Sequence, residues 1–184
     1  SDYTNDVEGL TSQRVKKLLN ILGKMSTSYL EIGVLNGATF CAAVEHNTLK
    51  AYAVDHWRDN TQAANGTTQI VSAKETFISN ARKAARPGSV KVFDCDFRKV
   101  DKSEIDYIDL MFYDADHSKE MTRAAVEYFA DKLVDDAVLV FDDANWQSVV
   151  EGAEEGLKKS NLSNKFARLI TNDQESVQDW WNGV

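Results

Sequence analysis

Apolar positions along this chain alternate between two kinds of run. Over residues 12–25, Val15, Leu18, Leu19, Leu22 and Met25 recur at helical spacing behind Thr11 and Ser12, two candidate N-caps, which predicts an amphipathic opening helix. Short apolar stretches then alternate with helical ones. The stretches are SYLEIGV (28–34), AYAVDHW (51–57), KVFDCDF (91–97), YIDLMFYDAD (107–116), AVLVFDDA (137–144) and FARLIT (166–171). Between them the pattern predicts helices over 38–46 and over 71–85, the latter stopped by Arg86-Pro87-Gly88. A further helix carries Met121, Ala124, Ala125, Tyr128 and Phe129 on one face, and another carries Val149, Val150, Ala153 and Leu157. Short strands separated by helices indicate parallel crossover units, because a parallel strand pair needs a long return that covers a face of the sheet. The predicted class is α/β, a doubly wound, mostly parallel sheet with helices on both faces.

Nothing in the 184 residues marks a second unit. There is one proline, no Gly/Ser-rich linker and no repeat, so residues 1–184 are expected to form a single domain, with 1–11 as an N-terminal arm. Composition is ordinary for a globular chain, 43% apolar and 27% charged. No apolar run approaches the ~20 residues that cross a bilayer, and SDYTNDVEGL lacks a signal-peptide pattern, so a cytoplasmic location and no membrane partner are expected. The net charge of −8 disfavours nucleic acid, which is gripped by Lys and Arg on phosphates. Lys16, Lys17, Arg82, Lys83 and Arg86 read as solvated helix faces, and Cys41 and Cys95, without CxxC spacing, as small buried groups.

In a doubly wound sheet, ligands bind beyond the carboxyl ends of the strands near the reversal of strand order. Those positions hold Glu31 to Gly37, Asp55, Asp96, Asp114 to His117, and Asp142 with Asp143. The first stretch, EIGVLNGAT, has glycines four apart, which permits a tight turn but is not the GxGxxG spacing of dinucleotide sites. Asp55 follows Gly33 by 22 residues and is suited to the vicinal hydroxyls of a ribose. Asp96 and Phe97 offer a polar group and an aromatic face to an adenine, with Asp94 as a competitor for that role. Together they describe a pocket for adenosine without a phosphate chain.

YLEIGVLNGATF, AVDHW, FDCDF and FYDADHSKE resemble class I S-adenosylmethionine-dependent methyltransferases of Rossmann-like fold, in particular the methyltransferase 24 group and its macrocin O-methyltransferase-like relatives, over about residues 12–171. The resemblance implies that Glu31, Gly33 and Gly37 shape the site around the methionine part of the cofactor, that Asp55 holds the ribose, and that Asp96 and Phe97 meet adenine. His56 and Trp57 flank the adenosine or sit at the core edge.

Asp114, Asp142 and Asp143 gather negative charge that a cation would relieve, and carboxylates with waters suit Mg²⁺. The resemblance to metal-dependent O-methyltransferases points to the same three residues as ligands. Asp114 is alternatively a metal-free contact for the sulfonium or the substrate. His117, with an ordinary pKa near 6.5, is a candidate base for an acceptor hydroxyl, while Asp116 to Ser118 also stand where a helix N-cap belongs. YDAD in place of a DPPY-like tetrapeptide argues against DNA-base methylation.

The expected activity is therefore methyl transfer to the oxygen of a small polar acceptor. An inactive adenosine-binding module, or a subunit of a larger assembly, and an NAD-linked oxidoreductase are the alternatives. The polar stretch 58–69 is a candidate flap suited to a sugar. Asp135-Asp136 in LVDDAVLVF are expected to turn, and Trp180-Trp181 to open a short final strand. The bare sheet edge left by so short a carboxyl end is compatible with a partner or a homo-oligomer.

Overall fold

A computed structural model describes residues 6–57, 72–171 and 179–184. Five parallel strands, β1 (Ser28–Ile32), β2 (Lys50–Asp55), β3 (Val90–Asp94), β4 (Ile108–Tyr113) and β5 (Leu133–Phe141), form one sheet in the order β3-β2-β1-β4-β5. The order reverses at β1, whose neighbours are β2 and β4, so the switch point lies beyond Ile32 and Tyr113. The fold is Rossmann-like, as the alternation of runs predicts.

The helices are α1 (Gln13–Met25), α2 (Ala38–Val44), α3 (Ala73–Ala84), α4 (Lys119–Phe129) and α5 (Gln147–Lys159). Serine side chains start three of them. Ser12 accepts from the Val15 amide, Ser72 from Glu75 and Ser118 from Met121. Alternate strand residues feed two cores. On one face Tyr29, Ala51, Ala53, Leu110 and Phe112 pack with Val15, Leu19, Phe40 and Phe77 of α1 to α3. On the other, Leu30, Ile32, Val54, Met111 and Tyr113 pack with Ala125, Val126 and Phe129 of α4. β1 is buried along its whole length on both faces, Ser28 and Glu31 included. No helix among the described residues is long and apolar enough to cross a membrane.

Four expectations are corrected. FARLIT is not a strand: Phe166 and Leu169 are 81% and 57% exposed, and regular pairing is absent. Its one reciprocal contact joins Ile170 and Val184 through two N–H···O bonds of 2.9 Å. Trp180 and Trp181 lie in a turn, with Trp181 at φ 58, rather than in a strand. Asp135 and Asp136 stand inside β5, at the shift in register between Ile108 and Leu110 of β4, where both side chains reach solvent without a turn. Lys16 is buried, not solvated; its Nζ donates to the Val7 carbonyl at 2.7 Å, and desolvation lowers its pKa. The candidate flap at 58–69 lies outside the described residues.

Candidate active site

A cleft of about 840 Å³ opens at the carboxyl ends of the strands. Its floor is the turn after β1. Gly33 has φ +87, and a Cβ there would lie 1.8 Å from the Asp114 carbonyl oxygen, so only glycine lets the ends of β1 and β4 approach this closely. Gly37, at φ +85, begins α2 against Phe77 and does not line the cleft.

Asp55 lines the cleft, yet its carboxylate already organises the glycine turn. Oδ2 accepts from the amides of Val34 and Leu35 at 2.9 Å each, and Oδ1 accepts from Trp57 at 2.8 Å. A carboxylate offers about four acceptor directions, so one remains on Oδ1 for a ribose hydroxyl. Trp57 does not flank the cleft. It stacks on Phe77 and closes the same loop by donating from Nε1 to the Leu35 carbonyl at 2.9 Å. His56 does line the cleft.

Phe97 and Asp96 reach the β3 end of the cleft, while Asp94 turns outward to Lys74 at 2.6 Å. Asp96 accepts from the Arg98 backbone amide and guanidinium, and that pairing holds its carboxyl down to about 2. Arg98 is thus part of the wall at the β3 end of the cleft. Its signal in the sequence is only its place two residues after Asp96.

Glu31 is fully buried beneath the turn and does not touch the cleft. The hydroxyls of Tyr29 and Thr39 donate to its two oxygens. Burial outweighs them and lifts its pKa to about 8, with Asp114 and Asp55 adding to the rise. Glu31 is therefore a neutral acid at pH 7. An unfolded glutamate loses its proton near 4.5, so between that pH and 8 the folded chain holds one proton more, and stability falls as pH rises. Glu31→Gln is expected to remove up to ~1.4 kcal/mol per pH unit of that slope, read as the difference in urea unfolding between variant and native chain from pH 5 to pH 8. Equal slopes would contradict the assignment.

Beyond β4 and β5 the structure gathers Asp114, His117 and Asp143, with one ligating atom from each lying within 4.8 Å of the others. His117 Nε2 is 2.7 Å from Asp143 Oδ2 and 3.7 Å from Asp114 Oδ1. Burial opposes the imidazolium, but the two carboxyls outweigh it and hold the pKa up to about 10. In this arrangement His117 is a cation, where the sequence alone suggests a neutral base. Asp142 is 1% exposed and does not line the cleft; burial first, then Asp114 and Asp143, push its pKa well up. Asp116 does serve the helix: its Oδ1 accepts from Ser118, and Ser118 caps α4. Ser148 Oγ donates to the His117 carbonyl at 2.8 Å, tying α5 to the cluster.

Two carboxylate oxygens of the cluster are sealed from solvent without a hydrogen-bond partner among the described residues: Asp142 Oδ1 and Asp143 Oδ1. Buried polar atoms are rarely left so, and carboxylate oxygens left without a donor suit a divalent cation. The carboxylates of Asp114, Asp142 and Asp143 therefore fit a metal, with His117 beside them as a further candidate ligand only in its neutral form.

The sequence reading misses the rest of the wall. Gly9 to Thr11 border the cleft beside Ala38 and Thr39, and Trp146, Trp181 and Asn182 border it near the cluster. Residues 182 and 183 are held there by the Asn145 and Ala144 amides, which donate to the Asn182 and Gly183 carbonyls at 2.8 and 3.2 Å.

Comparison with known proteins bears on this geometry. Fifteen percent identity and a TM-score of 0.62 relate the chain to a putative O-methyltransferase from Klebsiella pneumoniae, over 98% of this chain and 80% of that one. The S-adenosylhomocysteine-bound methyltransferase PaMTH1 of Podospora anserina gives 15% identity and 0.55 over 81% and 67%. CalS11, a TDP-rhamnose 3′-O-methyltransferase of calicheamicin biosynthesis, gives 15% and 0.54 over 78% and 66%, so the chain spans about two thirds of its length. At such identities these likenesses show the fold. No curated protein sequence matches. The family model described as a methyltransferase domain matches residues 30–144, which run from β1 through the loop after β5 and include every strand-end acid of the cleft. The chain accordingly belongs to the methyltransferase 24 family, within the class I S-adenosylmethionine-dependent methyltransferases.

Proposed function

We propose that this protein moves a methyl group from S-adenosylmethionine to an oxygen of a small hydroxylated acceptor, with a divalent cation held by the carboxylates of Asp114 and Asp143. The observation that carries this reading is the juxtaposition in one cleft of an adenosine half and a cluster with unsatisfied acidic oxygens. Asp55, Asp96 and Phe97 recognise the nucleoside. Five aspartates border the cleft, which favours a positive sulfonium and disfavours a pyrophosphate.

Asp114 and Asp143 would hold the cation, with the buried Asp142 behind them, and His117 is left as the proton acceptor. A bound cation supplies Lewis acidity, lowering the pKa of an acceptor hydroxyl. The chain's own groups do the remaining work. His117 Nε2 accepts the hydroxyl proton once Asp114 and Asp143 are engaged elsewhere and no longer hold the ring protonated. Trp146 and Trp181 offer flat apolar faces at the mouth, suited to a ring that carries hydroxyls. CalS11 is a TDP-rhamnose 3′-O-methyltransferase, which supports a sugar hydroxyl as the acceptor group, while the acidic cleft here favours a sugar without the diphosphate.

The test is transfer of a tritiated methyl group to a panel of sugars, catechols, small hydroxy acids and amines, with and without chelator. Labelled oxygen products that vanish with chelator are expected. Label confined to amines would overturn the acceptor class, and undiminished turnover in chelator would overturn the cation.

A further inference from the structure

Residues 179–184 form turns rather than a helix or strand, yet they are fixed to the molecule at three places. Ile170 and Val184 exchange two N–H···O bonds of 2.9 Å. Trp180 and Val184 pack against the core face that holds Val15 and Leu19. The Asn145 and Ala144 amides donate to the Asn182 and Gly183 carbonyls at 2.8 and 3.2 Å. Gly183 makes this last docking possible. It has φ +86, and a Cβ there would fall 2.5 Å from the Ile170 carbonyl oxygen and 2.8 Å from Asn145 Oδ1.

The docked segment brings Asn182 to the cleft, beside Asp143. Asp143 has φ 52, a left-handed conformation that a residue other than glycine keeps only where its surroundings over-determine it. Here the segment supplies those surroundings. Its carbonyls take up the two amides that follow Asp143, and the Trp146 amide donates back to the Asp143 carbonyl at 2.9 Å. The Asn182 side chain is in contact with the Asp143 carboxylate itself. The main chain of Asp143 is thus braced by the first contacts and its side chain by the last.

A carboxylate that holds a cation needs its direction fixed without its charge being consumed. His117 Nε2, 2.7 Å from Asp143 Oδ2, competes for that charge. A lysine or arginine in place of Asn182 would compete as well, whereas an amide donates a hydrogen bond and adds no charge. Asp143 Oδ1 keeps no hydrogen-bond partner among the described residues. We propose that Asn182 is a positioning residue, whose amide fixes the Asp143 carboxylate in the direction from which it meets the cation. The inference rests on the cation reading given above. Asn182 lies outside the segment matched to the family, which ends at residue 144, so a part of the chain beyond that match completes the site.

Mn²⁺ is the probe, because electron paramagnetic resonance counts the free ion and so reads affinity without turnover. The whole chain is titrated as native protein, Asn182→Ala and Gly183→Ala, beside calorimetry with S-adenosylhomocysteine and a melting curve of each. Asn182→Ala should weaken Mn²⁺ roughly tenfold to a hundredfold, the usual effect of removing a partner that orients a metal ligand. Its affinity for S-adenosylhomocysteine should stay native. Its melting temperature should stay within about 4 °C of native, because the main-chain ties of the segment remain. Gly183→Ala gives the pattern of an undocked segment: weaker Mn²⁺ together with a larger fall in melting temperature. Less than tenfold weakening of Mn²⁺ by Asn182→Ala overturns the proposal and leaves the cation reading intact. The Gly183→Ala pattern in Asn182→Ala also overturns it, since the residue would then only hold the segment down. If the native chain binds no Mn²⁺, the cation reading falls and this inference falls with it.

Discussion

Asp143→Asn is expected to lower methyl transfer by about three orders of magnitude or more while leaving affinity for S-adenosylhomocysteine nearly unchanged. The substitution keeps the volume and removes the charge. Asp143 is the carboxylate closest to His117, at 2.7 Å, and one of its oxygens is sealed from solvent without a hydrogen-bond partner. Burial alone would raise its pKa, but the contacts with His117 and Asn182 prevail and keep it below the usual carboxylate range, so the carboxylate is charged, as the proposed cation site requires. The nucleoside contacts proposed for Asp55 and Asp96 stand at β2 and β3, on the far side of β1, which is why turnover and cofactor affinity should separate. Single-turnover transfer of a labelled methyl group, beside a calorimetric titration of the same sample, checks both halves. Turnover within tenfold of native would remove Asp143 from the chemistry.

Gly33→Ala is expected to cost about 4 kcal/mol of stability and to abolish cofactor binding in whatever folded protein remains. Two costs combine. An L side chain at φ +87 is strained, and its Cβ would lie 1.8 Å from the Asp114 carbonyl oxygen. That oxygen has little freedom to retreat, because the Asp114 amide donates to Ile32 and the Gly33 amide donates to Val54, both at 2.9 Å. Gly88 supplies the control. It has φ +77 with open space around it, so Gly88→Ala carries the backbone cost alone, about 1 kcal/mol. Urea denaturation of the two variants should separate by several kilocalories, and equal midpoints would show that the contact with β4 is relieved at little cost.

The elements were legible where burial and periodicity agree. β1 and β4 are covered on both faces, so they read as apolar runs of strand length, and α1 and α4 show one apolar face each. FARLIT has the same look and fails, because strand formation needs a partner ladder and apolar character is only local. Phe166 and Leu169 face solvent instead.

The strand-end acids were legible for a topological reason: a doubly wound sheet delivers the residue after each strand to one cleft. What each acid does there depends on neighbours that spacing does not reveal. Asp55 holds the backbone of the turn it was expected only to face, and Asp96 is paired with Arg98. Asp142 is buried behind the cleft wall, whereas Asp143, at φ 52, borders the cleft and meets His117 there. The walls from Gly9 to Thr11 and from Trp181 to Asn182 arise from docking of irregular segments, which leaves no periodic trace in the sequence.

Titration of the native chain with S-adenosylmethionine, S-adenosylhomocysteine and NAD decides whether the cleft is built for a nucleoside bearing a sulfonium. Saturable one-to-one binding of the first two, with no heat from NAD, is the predicted result. Binding of NAD alone would contradict it and remove the basis for every role assigned to the cleft.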